Sequence, residues 1–145
     1  MTAHRWTLRL GAEFGHADVT AELVKLVGKS GVRNGVLTVH MLGSTGAITT
    51  IEYESGALQD LRDALEKVAP VNGDYDHNTR WGDGNGFSHV RSALLKTSLS
   101  IPVVDGELLL GTWQQVVALN LDNRERVREI VAIVIGSDQV VANDD

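Results

Sequence analysis

From His4 to Leu10 apolar and polar residues alternate with period two, the pattern of a strand with one buried face. The period then lengthens. Val19, Leu23, Leu26 and Val27 share one face of a helix that Asp18 can cap and that Gly28 and Gly31 end. "RNGVLTVHML" starts on the Asn34-Gly35 turn signal and predicts a strand running to Leu42. "AITTIEYES" (Ala47 to Ser55) predicts another, paired antiparallel with the first through Gly43 to Gly46. Leu58, Leu61, Leu65 and Val68 return to helical spacing, which Pro70 stops. Asn72 to Gly86 is polar and glycine-rich, and a connection of that length in a small domain is usually functional or disordered. Ser88 can cap a short helix with Val90, Ala93 and Leu94 facing inward. The last third is β: Asp105-Gly106 marks a hairpin, "VREIVAIVIG" supplies a final strand, and Asn143 to Asp145 form a frayed acidic end. These elements predict an α+β fold, a largely antiparallel, sandwich-like β core with about three flanking helices. No repeat or linker divides residues 1–145, so one domain is expected. A doubly wound parallel sheet is disfavoured, because the last third has no crossover helices.

Composition narrows the classes. Hydrophobic residues, 43% of the 145, suffice for one core. No apolar run is long enough to span a bilayer, and the start alternates instead of carrying a signal peptide's apolar stretch, so no membrane partner and a cytoplasmic location are expected. The absence of cysteine removes disulfides, thiol catalysis and zinc-thiolate sites, which leaves His and carboxylates as metal ligands. A net charge of −6 argues against a nucleic-acid partner. Arg124, Arg126 and Arg128 form the one basic cluster; interrupted by Glu125 and Glu129, it reads as a solvated face, with anion binding the other option.

Candidate chemistry gathers in "RWGDGNGFSHVRSALL", Arg80 to Leu95. Gly82, Gly84 and Gly86 allow close approach of a ligand to backbone, and Asp83 and Asn85 place polar groups among them. His77 and His89 bracket this turn and can converge on one point. Each residue alone fits an ordinary turn or surface; the clustering is what points to a site. Glu52 and Glu54, two apart on a strand, share a face, either as an inward carboxylate or as a solvent-facing pair. "GSTG" offers backbone N–H groups and the hydroxyls of Ser44 and Thr45 to an anion, or is only a tight connection. No Lys follows its glycines, so it is not a P-loop. Trp113 in "LGTWQ" reads as a core or interface residue, and Gln114 either binds a ligand or sits at a sheet edge.

"SLSIPVVDGELLLGTWQQV", "YDHN", "GDGNG" and "TTIEYESGALQDL" together resemble the YjbQ family, also described as secondary thiamine-phosphate synthase enzymes, over nearly the whole chain. The resemblance implies a β-rich α+β domain assembling as a homotrimer, with a His-lined pocket able to hold a divalent metal, Mg²⁺ or Zn²⁺. It also implies a weak thiamine-phosphate synthase activity, joining hydroxymethylpyrimidine diphosphate to thiazole phosphate with release of pyrophosphate. On that resemblance His77, His89, Asp83, Asn85 and Glu52 are the candidate catalytic residues. Ser44, Thr45, Gly84, Gly86 and Gln114 contact substrate or anion, and His77 and His89 are metal ligands, with Asp83 able to help hold Mg²⁺.

Two departures stand out. Many members read His-Ser-His where this chain has Phe87-Ser88-His89, and His-Thr-Thr where it has Gly43-Ser44-Thr45. Two fewer imidazoles leave a three-histidine zinc site short of ligands. They open a second expectation, a non-catalytic or differently specific trimer binding a small phosphorylated metabolite or a metal. A two-histidine, one-carboxylate hydrolase site from His77, His89 and Glu52 is a third option, with no diagnostic spacing behind it.

Overall fold

In chain order the elements are β1 (Thr2–Leu10), β2 (Gly15–Asp18), α1 (Thr20–Ser30), β3 (Asn34–Met41), β4 (Gly46–Ile51), α2 (Ser55–Val68), α3 (Asp76–Trp81), α4 (Gly86–Leu95), β5 (Ser98–Val104), β6 (Glu107–Leu108), β7 (Gln115–Asn120) and β8 (Arg126–Ser137). This computed structural model describes residues 1–139, so the acidic end expected at Asn143 to Asp145 lies outside the described residues.

The strands divide into a five-stranded sheet, ordered β1-β8-β3-β5-β6, and a three-stranded sheet, ordered β2-β7-β4. Every pairing is antiparallel. The α+β class expected from the alternation is what the chain adopts, with four helices among the described residues in place of about three. Strand burial explains the layering. β8 buries every second residue, Arg128, Ile130, Ala132 and Val134, and β3 does the same with Leu37, Val39 and Met41. β7 is buried on both faces. Val116 and Ala118 join the core between the sheets together with α1's Leu23, Leu26 and Val27. Val117, Leu119 and the following Leu121 face a second core with Phe14, Ala47 and α2's Leu58 and Leu65. A strand packed on both faces reads as a continuous apolar run, and "QVVALN" is one.

Five local expectations need correction. β3 and β4 do not pair: β3 lies between β5 and β8, and β4 pairs with β7. Between them the chain drops from one sheet to the other, and it passes so tightly that a Cβ on Gly46 would lie 2.3 Å from Met41 Sδ. β4 stops at Ile51, and Glu54 leaves the strand to cap α2. Its carboxylate accepts from the amides of Gly56 and Ala57, both at 2.7 Å, and these bonds hold its pKa below the ordinary value. Asp18 Oδ1 accepts from Thr20 N at 2.9 Å, one residue ahead of the N-cap position, which falls on Val19. The polar 72–86 stretch contains α3, which Gly82 ends in a left-handed conformation, φ +69°.

The fifth concerns α4, whose inward face is Phe87, Ser88, Arg91 and Ser92, while Val90 and Leu94 are exposed. Apolar spacing pointed to the wrong side because the buried face carries a satisfied guanidinium. Arg91 is 1% exposed; its Nε donates to Ala69 O at 2.9 Å, an Nη donates to Glu66 at 2.6 Å, and the group lies over the Phe87 ring. Arg91→Ala is expected to lower stability by about 2–3 kcal/mol in urea unfolding, since it strands the Ala69 carbonyl and empties the space beside Phe87. A change under about 0.5 kcal/mol, the size of an ordinary surface substitution, would show that the α4–α2 contact does not depend on this side chain.

Candidate functional site

His77 and His89 do meet. α3 carries the first and α4 the second, and the Gly82–Asn85 turn between the helices folds them together with ring centroids 4.4 Å apart. They line an open cleft of about 410 Å³ with Gly43, Ser44, Thr45, Trp81, Asp83 and Asn85, closed on one side by Arg126 and Arg128 of β8.

The floor is a buried polar network centred on Asp122, which is fully buried. Asp122 Oδ1 accepts from the Asn123 amide at 2.8 Å and from Asn85 Nδ2 at 3.3 Å. Oδ2 accepts from Thr45 Oγ1 at 3.0 Å and from Arg126 Nε at 2.9 Å. Burial alone pushes this carboxyl up, but the bonds from Arg126, Asn123, Asn85 and Thr45 outweigh it and hold the group below the ordinary carboxylate range. Arg128, 6% exposed, donates to Thr45 Oγ1 at 2.7 Å and to Asn120 Oδ1 at 2.6 Å. Burial lowers its pKa, but a guanidinium stays charged at neutral pH.

One network thus ties the Ser44–Thr45 turn, the glycine-rich turn and β8 into a single rigid wall. Three buried polar atoms on it have no partner among the described residues: Asn85 Oδ1, His77 Nδ1 and Arg128 Nε. His77 Nδ1 lies 3.5 Å from Asp83 Oδ1, within reach of an ion pair but too long and poorly aligned for a hydrogen bond. The His89 pKa is lowered, first by burial and then by His77, so its ring is neutral at pH 7 in the free protein. The chain carries −6 overall, yet around this cleft the guanidiniums of Arg126 and Arg128 balance the carboxylates of Asp122 and Asp83, and the imidazoles of His77 and His89 add further N–H donors. Anions are what such a wall attracts.

The glycines have separate duties. Gly43, at φ +117°, leaves space that Arg128 uses: a Cβ there would stand 2.9 Å from Nη1. Gly84 takes a left-handed turn, φ +68°, and is exposed. Gly86 begins α4 with its amide donated to Asn78 Oδ1 at 2.8 Å, so that N–H is not offered to a ligand. Two expected site residues lie elsewhere. Glu52 is exposed beyond the end of β4 and does not line the cleft. Gln114 folds back on its own turn, accepting from the Gly111 amide at 3.0 Å and donating to Thr50 Oγ1 at 3.3 Å. Trp113, expected in a core or an interface, is 73% exposed in this chain.

Residues 4–137 match the family described as UPF0047 protein YjbQ-like. The chain belongs to this family. Within the family, a UPF0047 protein of Methanothermobacter thermautotrophicus is 40% identical over 117 residues, 79% of this chain and 80% of that protein. One from Archaeoglobus fulgidus is 32% identical over 125 residues, 86% of this chain and 95% of its own length. Among solved structures, a hypothetical protein of Aeropyrum pernix K1 superposes with a TM-score of 0.86 at 27% identity, covering 94% of this chain and 100% of that one. A YbjQ-like protein of unknown function from Sulfolobus solfataricus P2 gives 0.84 at 26% identity, covering 94% and 99%.

At the two positions where the resemblance leads one to expect histidine, this chain brings no imidazole to the cleft. Phe87 is fully buried beneath Arg91 and does not reach the cleft, and Gly43 presents no side chain. Among the described residues no three His, Asp or Glu side chains stand close enough to hold a metal together. His77 and His89 with Asp83 therefore do not form a zinc set within one chain, and Asp122 has no lone pair left for Mg²⁺. Among the described residues no helix is long and apolar enough to cross a membrane.

Proposed function

We propose that the cleft binds the phosphate or diphosphate of a small metabolite and uses it in a thiamine-phosphate synthase-type substitution. The observation that carries this reading is the convergence of Arg126, Arg128, His77 and His89 on one cleft of an otherwise acidic chain. In that reaction the thiazole nitrogen attacks the methylene carbon of the pyrimidine diphosphate. A C–N bond forms, the C–O bond breaks, and pyrophosphate leaves with the electron pair. Negative charge grows on the departing oxygen, where fixed cationic donors stabilise the transition state more than the ground state. Arg126 and Arg128, already locked by Asp122, Thr45 and Asn120, pay little reorganisation there. His89 takes up a proton as the anion arrives and hydrogen-bonds the leaving group, and Ser44 adds a hydroxyl at the rim. The same reading has the chain working as a cytoplasmic homotrimer, which light scattering tests as the mass of three chains. Purified protein given both substrates should release pyrophosphate; no release under any divalent-metal condition removes the synthase.

A second reading, ligand holding without turnover, is favoured by Gly43 and Phe87, which leave the cleft without the two imidazoles that the family resemblance implies. Pyrophosphate would then raise the melting temperature by mass action with no product formed.

Both readings share one pH dependence. Because burial keeps His89 neutral, an anion must bring a proton with it, and binding strengthens as pH falls. Sulfate keeps its charge between pH 8 and 6, so its affinity should rise by up to about tenfold per pH unit where His89 titrates. Calorimetry in buffers of different ionisation enthalpy should show proton uptake. A flat sulfate affinity with no proton linkage would take His89 out of the anion site.

A further inference from the structure

Beyond Gly43 and Ser44 the cleft continues into a second hollow of about 360 Å³, which shares His89 with the first and is bounded by Ser92, Lys96 and Thr97. Lys96 sits there in an unusual backbone state. It follows the last residue of α4 with φ 74° and ψ 160°, a region in which glycine is at ease and a side chain is strained. The conformation is imposed from outside. Lys96 N donates to Ser92 O at 2.8 Å, Lys96 O accepts from Ile48 N at 3.1 Å, and the next carbonyl, Thr97 O, accepts from Met41 N at 2.9 Å. Helix end and both sheets are therefore joined through Lys96 and Thr97, and the joint dictates the φ and ψ of Lys96 whatever side chain it bears. Glycine would satisfy it without strain. A lysine stands there instead, exposed on the wall of the hollow and, among the described residues, paired with no carboxylate.

Strain held at an unpaired cation beside an anion cleft points to use. We infer that Lys96 forms a second anion subsite, so that the groove holds two separated phosphate groups at once. One lies against Arg126, Arg128 and His77; the other lies against Lys96, with His89 and the Gly43–Ser44 turn between them. The inference rests on the anion reading of the first cleft and adds the substrate class. Either one metabolite carries phosphates at both ends, or two phosphorylated substrates lie side by side, as a condensation of a diphosphate with a phosphate requires.

The test uses butylphosphonate and butane-1,4-bisphosphonate, titrated calorimetrically into the full chain and its Lys96→Gln, Lys96→Arg and Lys96→Gly variants. For one two-ended ligand, the bisphosphonate binds at least about tenfold tighter than the monophosphonate, and Lys96→Gln abolishes that advantage without weakening the monophosphonate. For two ligands side by side, the monophosphonate binds at two equivalents and Lys96→Gln removes one of them. In both cases Lys96→Arg restores binding. Lys96→Gly gives the distinctive pair of results, a higher melting temperature with the second anion lost, because it relieves the strain and removes the charge together. Monophosphonate binding at one equivalent with no bisphosphonate advantage overturns the subsite and leaves the first cleft standing. Equal weakening of both probes by Lys96→Gln overturns it too, as the signature of a diffuse charge effect. Binding of neither probe to the unaltered chain overturns the anion reading and this inference with it.

Discussion

Asp122→Ala is expected to cost about 3–5 kcal/mol of folding stability, the range for removing one partner from a buried charged pair, and to abolish anion binding in the same stroke. The carboxylate is fully buried and receives four hydrogen bonds, from Arg126, Thr45, Asn85 and the Asn123 amide. Alanine would leave two guanidiniums, Arg126 and Arg128, facing each other across an unsatisfied gap, with the Thr45 hydroxyl and the Asn85 amide unpaired. Urea unfolding at pH 7 measures the loss. The sign of the pH dependence provides a second check. Because the folded pKa lies below the ordinary value, the carboxylate contributes stability above its unfolded pKa of about 3.9, and that contribution disappears as pH falls through the lower folded value. The acid limb of the stability curve should therefore flatten in Asp122→Ala. Asp122→Asn should fall between, since it keeps the shape but turns one acceptor into a donor facing other donors. A loss below about 1 kcal/mol for Asp122→Ala, the size of a single neutral hydrogen bond, would mean that the loop and β8 are held together by something else.

How this network relates to the sequence shows what local patterns can carry. The pairing of His77 with His89 is legible only as a possibility: imidazoles bracketing a glycine-rich turn can converge, and it is the α3–α4 corner that brings their rings to 4.4 Å. The strand that completes the site was legible as a strand and misread as chemistry. Arg126 and Arg128 read as a solvated face, with anion binding the other option, because Glu125 and Glu129 interrupt them. Yet Arg128 is in phase with Ile130, Ala132 and Val134, and period two alone places it on β8's buried face. A cation in register with a core face was the available signal. Arg91 repeats the lesson on a helix: its face is set by where a guanidinium finds acceptors, and those acceptors, Ala69 and Glu66, come from a distant part of the chain. Glu52 failed for a different reason. Glu54 is drawn out of the strand to cap α2, and once the strand ends at Ile51 the two-residue spacing no longer fixes a face. The split of β3 and β4 between sheets was hidden for the same kind of cause, a long-range preference of β4 for β7 that no turn signal between β3 and β4 encodes.

His89→Ala is expected to lower pyrophosphate release by about 10²–10⁴-fold, the usual contribution of a positioned proton donor, while leaving the fold nearly unchanged. The side chain is only partly buried and, among the described residues, makes no hydrogen bond whose loss would be felt. What its removal takes away is the group poised between the first cleft and the Lys96 hollow, with a pKa depressed by burial and by His77. A ring of that kind is neutral when the site is empty and gains its proton when a polyanion neutralises the local field, so it carries the proton only when there is a leaving group to receive it. The pH profile separates this role from mere positioning. In the unaltered chain kcat/KM should fall on the alkaline side as His89 in the free protein loses its proton, and that limb should vanish in His89→Ala. His89→Gln keeps a hydrogen-bond donor of similar reach; it should recover substrate binding, seen in KM, without recovering kcat. Unchanged turnover in His89→Ala, with pyrophosphate still released, would assign proton transfer to His77 or to solvent and reduce His89 to a wall of the groove.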